Sequence, residues 1–573
     1  MLRMNASFML VTLAVLKALA VAQGSNPSVM IVLLVRNKET YLPYTLSQLS
    51  RLDYPKERLA LWIASDHNQD RSAEILHTWL ERYSLPYLSV EAFVNASSPS
   101  LRPDERSAVR LSPGRLRAVG DMKQEALKRA RTLGIDMVWF LDADVVLHDR
   151  SVLRRLQSVR KPVVAPMLRS AGGYSNFQPS IGRTSPQEED AFPRIYSGRV
   201  RGCFAVPLVR SCVLMDLRDP RTASLTFVSQ SCELQREVET LDDAVALAIS
   251  SRNSGLKMTV CNGEDFGLTP VPLSPTQELK DEWQNLLAMK LETLIDHPPM
   301  SVVPLMRLFL PPPPTKSRLG FDRIYVIGLG RRPERWRRLK ACFDEIGIEA
   351  VRMLAVDGRK LTDEFLEERD IHPRGEGRKR FINKGEVGCS LSHYYIWRDV
   401  IKHNLSRVII LEDDSHPSAD FPARLRQLVD EVDRLRPEWH FLYLFREAAF
   451  PDDFEPVEGS EHLVRPGFSY TTLAYALTRS GAETLLRDDP LKNLLCVDHY
   501  IPLMSGEVLF SEWMEVYPSA GTLRVYSGRE NIIEPVKRIG EHGFVSDCTE
   551  VDDLFGEVSY GNEVEECNME TLT

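Results

Sequence analysis

Short apolar runs alternate with amphipathic segments along most of the chain, a pattern that predicts an α/β fold. The first runs are 28–37, 59–66 and 137–144. Runs that are apolar at nearly every position suit strands buried on both faces of a parallel sheet. Between the second and third, apolar residues recur at helical spacing and predict a helix from Asp121 to a stop at Gly134.

A proline-rich break divides this pattern into two halves. Segment 296–318 contains four consecutive prolines, 311–314, which favour an extended spacer. Beyond it the pattern restarts with a strand at 321–329 and a basic helix from Arg335, and a helix at 386–404 leads into another apolar run. The sequence therefore predicts two α/β domains, at 27–295 and 319–545.

Composition agrees with more than one globular domain. The 573 residues exceed an ordinary single core, and 43% of them are hydrophobic and 26% charged. A formal net charge of -9 argues against a general nucleic-acid binder. Basic residues nevertheless cluster at 330–340, so an anionic ligand stays open.

The two ends of the chain predict a secretory protein. Residues 1–22 have the basic start, apolar core and small-residue cleavage pattern of a signal peptide. Sequons at Asn95 and Asn404 and nine cysteines of undetermined pairing fit the secretory pathway. Segment 546–573 is predicted to be a solvated acidic tail. No later stretch reaches the ~20 apolar residues of a membrane span, so the expected location is the endoplasmic reticulum lumen, although no KDEL-type tail is present.

Each half contains an apolar run that ends in acids. These acids are Asp142 and Asp144 in the first half and Glu412, Asp413 and Asp414 in the second. Ligands of open parallel sheets bind beyond the carboxyl ends of the strands. Carboxylates at that edge can hold Mg²⁺ or Mn²⁺ against a diphosphate, which predicts a glycosyltransferase that uses a nucleotide-sugar donor. The alternative is that such acids cap the helices that follow.

Longer motifs support the glycosyltransferase hypothesis. They are found at 384–397, 408–414 and 470–486 in the second half and at 42–70, 163–177, 201–211 and 261–267 in the first. With them the chain resembles glycosyltransferase family 25, and within it the procollagen galactosyltransferases, from about residue 28 to about residue 550. The resemblance implies two tandem GT-A-like (Rossmann-like) domains. The first half is also similar to the glycosyltransferase portion of multifunctional lysyl hydroxylases, but none of the 12 histidines has the H-x-D spacing of their iron site.

The resemblance also implies a reaction. Galactose would pass from UDP-galactose to the 5-hydroxyl group of collagen hydroxylysine with inversion and with Mn²⁺, and the expected partners are a collagen-like acceptor, the UDP-sugar and a second copy in a homodimer. The implied metal ligands are Asp142, Asp144, Glu412 and Asp414. The implied catalytic residues are Asp498, Asp413 and Asp243. The residues implied to bind the donor are the metal ligands together with Glu386, Ser392 and His393. The working site is expected in the second domain, where the family-25 signature lies.

Several of these residues have a structural alternative. Asp242 and Asp243 suit an acceptor pocket or a helix N-cap, and His393 suits the donor pocket or simple packing. Ser390 is a further pocket candidate. Three arginines, Arg331, Arg332 and Arg335, suit either donor phosphates or a solvated helix face.

Three departures from the family pattern give a second hypothesis. Gly328 stands where the family typically has asparagine, 442–450 lacks the usual basic segment, and His499 replaces a residue that is usually acidic. The family includes an inactive, adhesion-associated relative, so the alternative is a secreted binding protein without activity. The two intact acidic motifs favour the enzyme.

Overall fold

The computed structural model describes residues 26–180, 192–228, 242–376, 380–449, 453–507 and 512–537. Contacts divide the chain into two units, one of Met1–Thr293 with His297–Pro312 and one of Leu294–Asp296 with Pro313–Thr573. We call them the first and the second domain. The predicted signal peptide 1–22 and acidic tail 546–573 lie outside the described residues.

The first domain is built on twelve described strands and six described helices. The strands are β1 Val29–Val35, β2 Leu59–Ser65, β3 Ser89–Val94, β4 Met137–Asp142, β5 Val146–Leu147, β6 Val163–Pro166, β7 Phe177–Gln178, β8 Cys203–Val206, β9 Leu208–Val209, β10 Cys212–Asp216, β11 Met258–Cys261 and β12 Gly267–Leu268. The helices are α1 Leu42–Arg51, α2 Ser72–Tyr83, α3 Pro113–Thr132, α4 Val152–Ser158, α5 Asp243–Asn253 and α6 Glu282–Asp296. Short 3-10 helices are Lys56–Arg58, Pro220–Ser224, Leu279–Asp281 and Pro304–Phe309.

An eight-stranded sheet in the order β3-β2-β1-β4-β10-β6-β11-β8 forms the centre of the first domain. Strands β3, β2, β1 and β4 are parallel, and β10 runs antiparallel between β4 and β6. Successive side chains of β4 enter different cores: Trp139 packs on one face and Phe140 on the other. Burial on both faces is the reason the sequence shows continuous apolar runs here.

The second domain has fourteen described strands and seven described helices. The strands are β13 Arg323–Gly328, β14 Val351–Leu354, β15 Gly375–Glu376, β16 Arg380–Phe381, β17 Arg407–Glu412, β18 Ser415–Pro417, β19 Phe441–Tyr443, β20 Glu447–Ala448, β21 Phe454–Pro456, β22 Leu463–Pro466, β23 Ser469–Tyr470, β24 Ala474–Thr478, β25 Val525–Gly528 and β26 Ile533–Pro535. The helices are α7 Pro333–Ile346, α8 Asp363–Glu368, α9 Lys384–Lys402, α10 Phe421–Leu435, α11 Arg479–Leu486, α12 Val497–Ser505 and α13 Glu512–Val516, with 3-10 helices Gly358–Lys360 and Pro490–Asn493.

The second sheet repeats the arrangement of the first. Its order is β14-β13-β17-β24-β19-β25-β22-β21. Strands β14, β13 and β17 are parallel, and β24 runs antiparallel between β17 and β19. Seven strands of each sheet thus correspond in chain order, position and direction, with β4 matching β17. The predicted fold, two tandem α/β domains of the same type, is confirmed.

Two local predictions differ from the structure. Helix α3 begins at Pro113 rather than at Asp121, because the Ser112 side chain caps it by accepting a hydrogen bond from the Arg115 N–H. The expected spacer is also shorter than predicted. Val302, Val303 and Met306 are at most 7% exposed and belong to the core of the first domain, so only the exposed prolines 311–314 keep the predicted extended character.

Two further features concern the predicted compartment. A disulfide joins Cys203 of β8 to Cys261 of β11, which are direct partners in the strand register. The cysteines that are thiols among the described residues are Cys212, Cys342, Cys389 and Cys496. In the described ranges, every helix is too short or too polar to cross a membrane.

Candidate functional site

The two acidic motifs occupy corresponding strand ends. Asp142 is the last residue of β4, and Glu412 is the last residue of the matching strand β17. The turn that follows is fixed in the same way in both domains, through the carbonyl groups one and three residues beyond this acid. In the first domain the Thr45 hydroxyl group lies 2.9 and 3.2 Å from the Ala143 and Val145 carbonyl oxygens.

In the second domain a cation takes the place of this hydroxyl group. The Arg338 guanidinium group donates to the Asp413 carbonyl at 2.7 Å and to the Ser415 carbonyl at 2.9 Å. Hydrogen bonds from a charged donor are the stronger kind. Both turns are therefore fixed through their backbone carbonyl groups, and their carboxylates lie at the carboxyl edge of the sheet.

Lysines neutralise the acidic motif of the first domain. Lys38 Nζ lies 2.7 Å from Asp144 Oδ2 and 3.0 Å from the Glu282 carboxylate. Burial alone would lower the pKa of Lys38, but Asp144 and Glu282 outweigh burial and raise it, so the ammonium group stays charged. Lys123 Nζ lies 3.8 Å from Asp142 Oδ1 and 2.7 Å from Asp243 Oδ2.

These ion pairs bear on the predicted metal ligands of the first domain. Burial raises the pKa of Asp142, with Lys123 opposing it and Asp144 and Asp243 adding to it. Each motif carboxylate already has a lysine beside it, Lys38 at 2.7 Å from Asp144 and Lys123 at 3.8 Å from Asp142. The first-domain set, as the residues stand, therefore does not fit a divalent cation.

A cavity of about 560 Å³ nevertheless adjoins this motif. Its walls include both aspartates and both lysines, together with Arg36, Arg102 and Arg210. This basic lining in an acidic chain suits an anionic ligand.

The acid pair of α5 has structural partners. Asp242 is the N-cap of α5, accepts a hydrogen bond from the Val245 N–H at 2.8 Å and pairs with Arg210 at 3.3 Å. Asp243 pairs with Lys123. The structure favours the N-cap alternative for Asp242, and it gives Asp243, predicted as catalytic, a role in holding Lys123.

Unpaired carboxylate oxygens distinguish the second domain. Asp413 Oδ2 and Asp414 Oδ1 are buried and have no hydrogen-bond partner in the described part of the chain. The nearest cation is Arg335, whose Nη1 atom lies 3.7 Å from a carboxylate oxygen of each. A buried polar atom without a partner is costly and rare in native proteins.

The pKa values show the same unmet charge. Burial and then Asp414 raise the pKa of Asp413 to about 7, against the opposing effect of Arg335. Burial and Glu412 raise the pKa of Asp414. Oxygen ligands carrying excess negative charge are what Mn²⁺ and Mg²⁺ prefer. The unpartnered oxygens of Asp413 and Asp414 therefore suit a divalent cation, although with Glu412 they do not form one of the three-ligand clusters found in the described residues.

Asp498 lies beside this cluster in the first turn of α12. The Thr472 hydroxyl group donates to Glu412 Oε1 at 2.7 Å and lies 3.3 Å from Asp498 Oδ1. Burial and then the Glu412 charge raise the pKa of Asp498 to about 6. A carboxylate whose pKa lies near neutrality is suited to act as a general base. The structure thus brings together Asp498 and the acidic motif, which the sequence separates by more than one helix and several strands.

Four residues predicted to line the donor pocket are buried on α9. Glu386 and His393 are 0% exposed, Ser392 1% and Ser390 3%. Glu386 forms a capping box with Asn383 at the start of the helix. Ser392 donates to the Gly388 carbonyl and accepts from the Val356 N–H. Ser390 bonds the Leu495 carbonyl and the Val497 N–H. Glu386, Ser390 and Ser392 therefore have hydrogen-bonding roles within the fold, and their contact with the donor stays a prediction.

His393 has a positioning role instead. Its Nδ1 atom lies 2.8 Å from the Tyr475 hydroxyl group, and its Nε2 atom lies 3.5 Å from Glu412 Oε1. Burial would raise the pKa of Glu412, but His393 and Thr472 outweigh burial and lower it. His393 therefore favours the ionised form of the Glu412 carboxylate.

The comparisons agree with this arrangement of two corresponding domains. Residues 26–290 match the "Glycosyltransferase family 25, N-terminal domain", and residues 321–501 match "Glycosyltransferase family 25 (LPS biosynthesis protein)". Procollagen galactosyltransferase 2 of Mus musculus is 35% identical over 531 residues, which cover 91% of this chain and 83% of the relative. The chain belongs to glycosyltransferase family 25. This family also contains the probable inactive glycosyltransferase 25 family member 3 of Bos taurus, 36% identical over 540 residues, 93% of this chain and 89% of the relative.

Membership of family 25 leaves the activity open, because the relative named as a galactosyltransferase and the relative named probable inactive are 35% and 36% identical to this chain. The residues of the site therefore have to distinguish an enzyme from an inactive relative.

Of the three arginines considered from the sequence, Arg335 faces the acidic motif, whereas Arg331 pairs with Asp357 at 3.5 Å. His499 lies among the rings of Phe468, Tyr470 and Trp513, at 5.9–6.1 Å between centroids.

Gly328, which departs from the family-25 pattern, makes room for Asp413. A Cβ atom at Gly328 would lie 2.5 Å from Asp413 Oδ2 and 3.3 Å from Asp413 Cβ. We expect Gly328→Ala to displace this carboxylate, to destabilise the protein by about 1–3 kcal/mol and to lower any Mn²⁺ affinity about tenfold. Chemical unfolding and Mn²⁺ titration measure both effects. Gly330→Ala is the matched control, because no atom lies within 4 Å of its added Cβ; equal behaviour of the two variants would contradict the expectation.

Sequence reasoning missed four residues of these sites. Arg338 follows Arg335 by three residues on a helix, a spacing that places both on one face and was a usable signal. Lys38 and Lys123 carry no such signal, because their partners are distant in sequence. Thr472 likewise meets Glu412 and Asp498 only through the sheet.

Proposed function

We propose that this family-25 chain is a hexosyltransferase that transfers galactose from UDP-galactose to hydroxylysine of collagen-like polypeptides, and that the second domain carries the reaction. The observation that carries the proposal is the pair of buried, unpartnered carboxylate oxygens of Asp413 and Asp414 beside Asp498. The acceptor and the sugar come from the name of the mouse relative. The predicted lumenal location would bring the chain to nascent collagen chains.

The residues of the second domain have distinct roles in this proposal. Glu412, Asp413 and Asp414 would hold Mn²⁺, which when bound offsets negative charge on the departing UDP. Arg335 adds positive charge on the same side of the motif. Asp498 accepts the proton of the acceptor hydroxyl group during in-line attack.

Thr472 controls which carboxylate is free to accept that proton. A hydroxyl group has one proton, and its shorter contact is to Glu412. Asp498 therefore keeps an available lone pair, whereas Glu412 is hydrogen-bonded and ionised. Two neighbouring carboxylates with pKa values moved in opposite directions are a recurring arrangement in acid–base catalysis.

The direct test is transfer of radiolabelled galactose from UDP-galactose to a hydroxylysine-containing collagen peptide by the purified chain. We expect Mn²⁺-dependent product that disappears with a chelator and with a matched peptide carrying lysine in place of hydroxylysine. No transfer in Mn²⁺ would contradict the proposal and favour the alternative, an inactive binding protein like the relative named probable inactive.

A further inference from the structure

A second cluster of possible metal ligands lies in the first domain, apart from its acidic motif. It consists of His148, Asp265 and His297, and one ligand atom from each lies within 4.8 Å of the others. His148 and His297 also line a cavity of about 230 Å³. The proposed transferase reaction uses none of these residues.

Three short elements bring the cluster together. His148 directly follows β5, and its N–H donates to the Phe266 carbonyl at 2.9 Å, beside the β5–β12 pair. Asp265 precedes Phe266 and so lies next to it. His297 is the C-cap of α6 and donates its N–H to the Thr293 carbonyl. The carbonyl end of a helix favours a nearby cation.

The hydrogen bond of Thr293 fixes the proton on the His148 ring. The Thr293 hydroxyl group donates to the Met289 carbonyl at 2.8 Å, so it can only accept from His148 Nε2, 3.1 Å away. Neutral His148 therefore presents the lone pair of Nδ1. That nitrogen is buried without a hydrogen-bond partner in the described ranges, on a side chain that is 5% exposed.

The Nδ1 lone pair points toward an ionised carboxylate. His148 Nδ1 lies 3.4 Å from Asp265 Oδ2. The Arg169 guanidinium group pairs with the same carboxylate. A lone pair and a carboxylate oxygen in contact repel each other unless a cation lies between them. That cation is either a proton on Nδ1 or a metal ion.

The distances fit a metal ion. Zinc binds nitrogen and carboxylate oxygen at about 2.0–2.2 Å, which places neighbouring ligand atoms of a tetrahedral site about 3.4 Å apart. The observed separation from Asp265 Oδ2 to His148 Nδ1 is 3.4 Å, which equals this spacing, whereas the separation to His297 Nε2 is 2.9 Å, the length of the hydrogen bond that joins the two in the absence of metal. Arg169 Nη2 lies 3.0 Å from the same oxygen, which has a second lone pair for it.

The surroundings also match a metal centre. A histidine ligand usually donates its other N–H group to a fixed partner, as His148 does to Thr293. Two imidazoles and one carboxylate suit Zn²⁺, whereas sites of oxygen ligands alone suit Mn²⁺. We propose that His148, Asp265 and His297 bind one Zn²⁺ ion, which ties the end of α6 to the β5–β12 pair and leaves a fourth position open to the cavity.

The test measures Zn²⁺ retained by the full chain. Chelator-treated protein is incubated with Zn²⁺ in excess Mn²⁺, which occupies sites of oxygen ligands, then desalted and analysed by mass spectrometry for metal. The wild-type chain is expected to retain about one equivalent more than His297→Gln, and this variant to bind Zn²⁺ at least about 100-fold more weakly. His297 is 29% exposed, so its replacement leaves the core intact.

Two further variants make the outcome decisive. Thr293→Val removes the hydroxyl group that orients His148 and is expected to weaken Zn²⁺ binding about 10–100-fold. His77→Gln replaces an exposed histidine of α2 and is expected to bind like the wild type. Equal Zn²⁺ retention by the wild type and His297→Gln, with both folded by circular dichroism, would overturn the proposal and leave a protonated histidine as the cation.

Discussion

Replacing Asp498 by asparagine is expected to lower kcat for galactosyl transfer about 10²–10⁴-fold, the contribution typical of a general base. Asparagine keeps the Oδ1 atom that faces Thr472 at 3.3 Å, so the packing of the side chain is retained. It has no basic lone pair for the acceptor proton. Because the carboxylate acts on the acceptor hydroxyl group in the proposed reaction, the KM for UDP-galactose is expected to change little. Steady-state kinetics with varied donor and acceptor measure both quantities.

Asp489→Asn is the matched control for this variant. It makes the same change of charge nearby in sequence, at an exposed residue whose φ of 46° is one that asparagine tolerates. We expect wild-type kinetics from it. A kcat for Asp498→Asn within a few-fold of the control would exclude Asp498 as the base.

The fold was predictable where the residues of a single strand form a recognisable apolar run. Runs such as Val29–Val35 and Leu59–Ser65 are apolar throughout because both faces of the strand are buried, so period and length identified them. Ends of elements were less predictable. Ser112 caps α3 well before the apolar pattern becomes visible, because the buried residues of that helix begin only at Gly120.

The spacer shows a different limit. Prolines 311–314 were a sound signal for extended chain, but the packing of Val302 and Met306 into the first core depends on a surface that only the folded domain provides. Tertiary contacts override local composition in such a stretch.

The acidic strand ends were predictable, but their electrostatic state was not. An acid after an apolar strand indicates a place at the edge of the sheet. Whether it meets a cation depends on residues far away in sequence, such as Lys38 for Asp144 and Arg338 for the turn of Asp413. For the same reason the pattern could not separate Ser392, which is buried, from Asp498, which lies beside the motif.

The contrast between the two motifs gives the second large expected effect. Asp414→Asn removes a carboxylate whose Oδ1 atom has no hydrogen-bond partner in the described residues and whose charge is opposed by Arg335 and Arg338. We expect transfer to fall at least about 100-fold, as when one preorganised electrostatic group is removed from a site. Mn²⁺ affinity should fall with it.

Asp144→Asn makes the equivalent change in the first domain. Asp144 already pairs with Lys38, and Lys38 keeps Glu282 as a second partner. The substitution removes one partly buried ion pair and so costs stability. The rate of transfer is expected to stay within about fivefold of wild type. Unfolding curves of both variants show that folding is retained.

The central claim is that the second domain holds the donor, and the rates of galactosyl transfer by Asp414→Asn and Asp144→Asn, measured side by side in saturating Mn²⁺, test it most directly. The expected result is a loss of at least about 100-fold for Asp414→Asn alone. A loss of that size for folded Asp144→Asn, with or without a loss for Asp414→Asn, would contradict it.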